Sequence, residues 1–160
     1  MNAQTASDIR GVLITVTGGR LLLPNASVAE VITYSDPDPV VDAPAWLLGR
    51  SRWRGWALPI LSFARLAGWA SVEAELGAKV AVLKAIGGNP AMPYFAVLTQ
   101  GFPRLVTISP TSLQQTSGDL AALPRGVHAR VLFNDDEAVV PDLLAVEGRL
   151  VDVLGLAVKA

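Results

Sequence analysis

Val12 to Thr17 (VLITVT) is a run of apolar and β-branched residues, and Arg20 to Pro24 (RLLLP) answers it across Gly18-Gly19. Two glycines can take the positive φ of a tight turn, so this pattern predicts a hairpin. In the next segment Val28, Val31 and Ile32 fall at i, i+3 and i+4, and Ser27-x-x-Glu30 has the spacing of a capping box. One or two helical turns are expected there. Three prolines between Ser35 and Ala45 exclude helix and predict an extended loop. Trp46 to Arg54 and Trp56 to Leu61 then read as a second hairpin turning at Arg54-Gly55. Pro59 cannot donate to a ladder, which requires an edge or a bulge in its strand. Ser62 is the expected N-cap of a short helix, Phe63 to Ala67, stopped by Gly68.

After a weakly patterned link, 69–77, strand signals resume at Lys79 to Ile86, Tyr94 to Thr99 and Arg104 to Ile108, with a turn at Gly87-Gly88-Asn89-Pro90. Thr111 to Gly126 is polar and turn-rich and reads as a long loop. Val127 to Phe133 and Ala138 to Val140 flank a turn at Asn134-Asp135-Asp136. Asp142 is placed to cap a short helix, Leu143 to Glu147, ended by Gly148, and the spacing of Leu150, Val151, Val153, Leu154 and Leu156 is compatible with further helix. Leu58 to Gly68 and Ala138 to Gly148 echo each other, each an apolar strand, a cap at the same offset, an apolar helical turn and a glycine. The echo suggests two barrels, each closed by the same strand-to-helix element.

Length narrows this further, because 160 residues suffice for one compact unit or for two small barrels sharing an interface. Apolar residues make up 51% of the chain and charged ones 17%, against roughly 25% charged in ordinary soluble domains. That excess predicts appreciable apolar surface, which favours protein partners. Gly, Pro or a charge interrupts every apolar run before it reaches the roughly 18 residues of a membrane helix, and Met1 to Arg10 lacks an apolar signal-peptide region. A cytoplasmic protein without membrane insertion is expected. There is no cysteine, hence no disulfide framework and no thiolate chemistry, and a net charge of −1 argues against a sequence-independent grip on nucleic acid.

Catalytic candidates are sparse. The single histidine, His128, lies in a predicted strand whose alternation sets it with Arg130 on the polar face, and no nucleophile-elbow motif accompanies it. A hydrolase built around His128 has no other support. Asp36, Asp38 and Asp42 have a spacing faintly like a calcium loop, without its glycine or its closing glutamate, and Asp135-Asp136-Glu137 lies in a turn where acidic residues are ordinary. Gly18-Gly19 and Gly87-Gly88 stand between strands and match no phosphate-cradling loop. No catalytic residue, metal site or cofactor is expected.

The segment Gly49-Arg-Ser-Arg-Trp-Arg-Gly-Trp56 stands apart, holding three of the chain's 13 basic residues within five positions. As a strand it sets Arg50, Arg52 and Arg54 on one face and Ser51 and Trp53 on the other. One reading is a solvated edge with Trp53 and Trp56 packed inward. Another is a binding surface, since Arg and Trp are enriched at interface hot spots. A third is a barrel binding single-stranded nucleic acid through Arg50, Arg52 and Arg54, which the acidic pI and the lack of a second basic stretch oppose.

Taken together and in order, these motifs resemble the CheW-like family of chemotaxis adaptors from about Gly11 to Gly148. The resemblance rests on Leu23-Pro24 with Val28-x-Glu30-Val31-Ile32, on the proline-rich loop Pro37 to Pro44, and on Gly49-x-x-x-x-Arg54-Gly55 followed by Leu58-Pro59-Ile60-Leu61-Ser62-Phe63 and Gly68. Phe95 to Leu98 resembles a strand that usually leads to an acidic residue, where this chain has Thr99 and Gln100; Gly126-Val127 and Pro141-Asp142-Leu143 fit the closing segments. Trp53-Arg54-Gly55-Trp56 is also similar to adaptors of pilus-associated chemosensory clusters.

The resemblance implies an all-β fold of two five-stranded SH3-like β-barrels side by side with short helices. It implies one CheW-like domain over 11–150, with tails 1–10 and 151–160 and no clean division of the barrels by sequence. The implied function is a non-catalytic adaptor coupling the cytoplasmic tip of a chemoreceptor to the regulatory domain of a CheA-type histidine kinase. The resemblance maps Glu30 and Val31 onto the first barrel's contact region and Arg54-Gly55 onto the turn near the receptor-facing groove; with the Arg- and Trp-rich segment and its neighbours, the candidate protein-binding residues are Val28, Glu30, Val31, Gly49, Arg50, Arg52, Arg54, Gly55 and Trp56. The Thr99 and Gln100 departures point to a changed partner surface on the second barrel. On the residues alone, Glu30 is equally a capping-box carboxylate, Val31 a core residue and Arg54 a tether for its own loop.

Overall fold

The computed structural model describes residues 8–70, 78–115 and 123–156. Along the chain come β1 (Ile9–Val16), β2 (Gly19–Pro24), a 3-10 turn (Asn25–Ser27), β3 (Val28–Thr33), β4 (Leu47–Trp53), β5 (Trp56–Leu61), α1 (Phe63–Leu66), β6 (Lys79–Lys84), β7 (Tyr94–Thr99), β8 (Arg104–Ile108), β9 (Leu113–Gln115), β10 (Val127–Phe133), β11 (Asp136–Pro141) and α2 (Leu143–Leu154). The strands form a six-stranded sheet in the order β8-β1-β2-β11-β10-β9 and a five-stranded sheet in the order β3-β6-β7-β5-β4. The six-stranded sheet thus joins the two ends of the chain, and the five-stranded sheet is the middle.

Three apolar cores explain why so many strands are buried on both faces. Leu13, Leu22, Val131 and Ala138 fill the inside of the six-stranded sheet, and Trp53, Leu58, Ile60, Val80, Val82 and Ala96 fill the inside of the five-stranded one. The largest core lies between the sheets, where Ile14 and Leu21 of one meet Leu83 and Phe95 of the other, capped by Phe63 of α1 and Leu150 of α2. Much of the apolar excess that predicted a sticky surface is consumed there, since a strand packed on both faces needs no polar alternation. Large exposed apolar side chains remain at Ile9, Val41, Trp56, Ile86, Phe102, Leu105 and Leu144.

The expected strand-to-helix echo is present and longer than its sequence signal. Segments 46–68 and 126–148 share a β-bulge (Leu47/Gly49 and Val127/Ala129), a two-residue turn and a side-chain cap, all offset by the 80 residues that separate Ser62 from Asp142, and each makes a parallel contact to a neighbouring strand, at Ile60 and Leu61 in the first and at Val139 in the second. Ser62 Oγ accepts from the Arg65 N–H at 3.1 Å, and Asp142 Oδ1 accepts from the Ala145 N–H at 3.1 Å. Before each unit, the cap residue's own N–H reaches back to the Trp46 or Gly126 carbonyl at 2.8 Å.

Several expectations are corrected. Only Asn25–Ser27 is helical; Val28 to Thr33, expected to continue as helix, is β3, paired with β6. Its β-branched residues suit the sheet, and the Glu30 carboxylate bonds across strands instead of capping. β5 is internal, yet it still accommodates Pro59: Arg50, its partner, exchanges its N–H and carbonyl with Asp38 at 2.8 Å, so the Arg50–Pro59 pair needs no hydrogen bond. The expected loop from Thr111 contains the short β9. Gly148 does not stop α2, which runs to Leu154 and ends at the left-handed Gly155, φ 68°. One glycine at an exposed helical position costs only about 1 kcal/mol, and burial of Leu150 beyond it outweighs that. Of the 69–77 link, 71–77 lies outside the described residues.

Candidate protein-binding site

The site is built on the β4–β5 hairpin. Gly49 sits in the bulge of β4 at φ 146°, and a Cβ there would overlap the Asp38 carbonyl oxygen. Only glycine lets the proline-rich loop lie against β4 closely enough for the Asp38–Arg50 bridge. At the other end Arg54 and Gly55 turn the chain with φ 46° and 82°, the two positive values of a type I′ turn, between the paired Trp53 and Trp56. An arginine at positive φ is strained and needs support from its side chain.

That support comes from β3. Glu30 Oε1 accepts a hydrogen bond from Trp53 Nε1 at 3.1 Å and pairs with an Arg54 nitrogen at 2.9 Å, while the Arg54 guanidinium lies 4.7 Å from the centroid of the Trp53 ring. Trp53 is buried and meets Tyr94 edge-on at 4.9 Å. β3 and β4 are the two ends of the five-stranded sheet and share no ladder. Glu30, Trp53 and Arg54 therefore join by side chains a seam the backbone leaves open. The ion pair is half-exposed and worth only about 0.2–1 kcal/mol; the geometry it imposes on the turn is its larger effect.

The three arginines do not form one stripe. Arg54 turns back onto Glu30, whereas Arg50 and Arg52 are exposed and make no ion pair among the described residues. Trp53 packs inward as expected, but Trp56 does not: 40% of it is exposed. Arg50, Trp56 and Ala57 separate two grooves. One, of about 410 Å³, is bounded by Asp38 and Pro39 of the loop and by Arg52 and Gly55. The other, of about 190 Å³, is bounded by Met92, Pro93 and Tyr94, by Leu154 at the end of α2 and by Leu156 beyond it. Val28 and Val31 are half-buried on β3; Val28 packs against the inter-sheet core and Val31 pairs with Ala81.

His128 is exposed on β10 between buried Val127 and Ala129. Among the described residues no three metal-ligating side chains cluster, and no helix is long and apolar enough to cross a membrane. Thr99 and Gln100 do not lie on a separate barrel from Arg54, because β7 pairs with β5. Nor is Thr99 a surface residue. It is buried, with Oγ1 donating to the Gly101 carbonyl at 2.6 Å, while the Gln100 N–H bonds the Thr15 carbonyl at 2.8 Å and its Nε2 reaches Thr17 at 3.1 Å. These two residues dock the five-stranded sheet onto β1.

One feature escaped the sequence reading. Glu147 is a buried carboxylate on α2 that accepts the backbone N–H groups of Ile86 and Gly87, both at 2.8 Å. It fastens the β6–β7 turn to the helix that follows the other sheet. Its only sequence signal is a lone acid inside the apolar run LLAVEGRL.

The family model described as CheW-like domain matches residues 10–151. The chain belongs to the CheW-like family. CheW-family proteins are non-catalytic scaffolds, and this chain is a chemotaxis adaptor or scaffold of that family. Among solved structures it is similar to the scaffolding protein TtCheW from Thermoanaerobacter tengcongensis, with 12% identity, 84% of each chain covered and a TM-score of 0.68. At that identity the likeness speaks for the fold, two SH3-like barrels, here realised as sheets of six and five strands. A comparison with curated sequences gave no significant match.

Proposed function

We propose that this CheW-like protein is a cytoplasmic adaptor that joins the tip of a chemoreceptor to the regulatory domain of a CheA-type histidine kinase, and that the β4–β5 hairpin carries one of the two contacts. The observation that supports this most is the exposed Trp56, which lines a groove with Arg50 and Arg52 and borders a second one, on a hairpin whose turn is tied to Glu30. An aromatic anchor beside guanidinium groups is the composition of an interface hot spot. A rigid turn also limits the entropy lost on binding.

In this reading the expected contact residues divide by task. Arg50, Arg52 and Trp56 meet the partner; Gly49 and Gly55 set the backbone; Glu30 and Arg54 hold the turn; Val28 and Val31 support β3 from within. Such an adaptor changes no bond. It acts by the binding free energy it contributes to one arrangement of its partners over another.

Calorimetric titration of the protein with the kinase regulatory domain and, separately, with the receptor tip from the same organism tests this. Saturable binding to at least one is expected, weakened about tenfold or more by Arg50→Glu with Arg52→Glu. Absence of binding to both would overturn it. Swapping the tether, Glu30→Arg with Arg54→Glu, is expected to recover binding that either single change reduces.

A further inference from the structure

β8 is the open edge of the six-stranded sheet. It pairs with β1 on one side, and no described backbone group pairs with the other. Proteins usually defend such an edge with a proline, a bulge or an inward-pointing charge. None of these is present. Pro103 and Pro110 flank the strand without entering it, the register with β1 from Ile9–Ile108 to Leu13–Arg104 is unbroken, and the strand's one charge is its first residue. Two large apolar side chains stand exposed beside this edge, Phe102 at 74% and Leu105 at 66%.

Charge near the edge is mostly basic, its acids being exposed Asp8, next to the β1 residue that pairs with Ile108, and Asp136. The stretch 78–115 contains Lys79, Lys84 and Arg104 and no Asp or Glu. Arg104 has no ion pair among the described residues and shares a groove of about 300 Å³ with Phe102, Leu13, Thr15 and Arg20. Lys79 Nζ lies 4.8 Å from the Phe102 ring. The one acid in the groove, Asp136, is already paired with Arg20 at 3.8 Å.

We infer that β8 receives an extended, acidic and apolar segment of a partner protein, which adds to the sheet as a seventh strand. The main-chain groups of Arg104 to Ile108 would bind its backbone, Leu105 and Phe102 its apolar side chains, and Arg104 its carboxylates. A second copy of this chain fits less well, because β8 against β8 brings further arginine and no acid to answer it. This surface belongs to the other sheet from the Trp56 hairpin, and the inference stands independently of the function proposed above.

The test is a fluorescence-anisotropy titration at low salt with two labelled peptides, one alternating glutamate and valine and one alternating lysine and valine, followed by amide hydrogen exchange. The glutamate peptide is expected to bind saturably, about tenfold more tightly than the lysine peptide, and to slow exchange at 104–108. Arg104→Glu, an exposed substitution, is expected to reverse the preference. Equal affinities, no binding, or binding without protection of β8 would overturn the inference. So would protection of β8 that rises with protein concentration alone, which would mean self-pairing.

Discussion

Segments 46–68 and 126–148 are the same backbone written twice with different surfaces. Each has a bulge at its start, a two-residue turn with two positive φ values (46° and 82° at Arg54 and Gly55, 49° and 69° at Asn134 and Asp135), a parallel contact and a capped helix. Their inward residues correspond in kind: Trp53 with Phe133, Leu58 with Ala138, Phe63 with Leu143. The outward ones do not. Where the first unit exposes Arg52 and Trp56, the second has Leu132 and Asp136, and Asp136 pairs with Arg20 of its own sheet. Repetition of the inward pattern accounts for the fold, and the unshared outward residues are where the two sheets differ in surface chemistry.

The largest break in this symmetry is at Glu147, whose counterpart in the first unit is Ala67. Glu147→Ala leaves the Ile86 and Gly87 N–H groups without their acceptor, and unfolding in urea should show a loss of about 2–4 kcal/mol. Next comes the bulge. Gly49→Ala forces a Cβ against the Asp38 carbonyl at a φ that suits glycine, with an expected loss of about 2–3 kcal/mol, whereas Ala129→Gly at the corresponding place should cost about 1 kcal/mol. The caps should behave alike. Ser62→Ala and Asp142→Ala are each expected to lose about 1 kcal/mol by the same measurement, and a strong inequality would mean the two units are not mechanically equivalent. Smallest is Trp56→Ala, which should change stability by no more than about 0.5 kcal/mol.

Most of the two hairpins was legible because their signals are local. Arg54-Gly55, Ser62, Gly68 and Asp142 act on residues within four positions, and the turn and cap geometry follows from chemistry at that range. β3 was misread because Val28, Val31 and Ile32 satisfy a helical spacing while their β-branched side chains suit a sheet whose other strand, β6, lies some fifty residues on. Tertiary pairing decided between two locally acceptable structures. Glu147 was invisible for the same reason, its acceptors being used 60 and 61 residues away. At the candidate site the sequence singled out the 49–56 segment by its composition and gave its three arginines one face. Alternation ends where the turn begins, so Arg54 swings to Glu30 and Trp56 to solvent.

The central claim is that the exposed residues of the first unit, and not those of the second, meet a signalling partner. Measuring the affinity of Trp56→Ala and Asp136→Ala for the kinase regulatory domain and for the receptor tip, with the melting temperature of each variant, tests it directly. The account predicts that Trp56→Ala weakens binding of one partner about tenfold or more with its melting temperature unchanged, and that Asp136→Ala leaves the same affinity as the parent protein. Equal affinity of Trp56→Ala and the parent for both partners would contradict it.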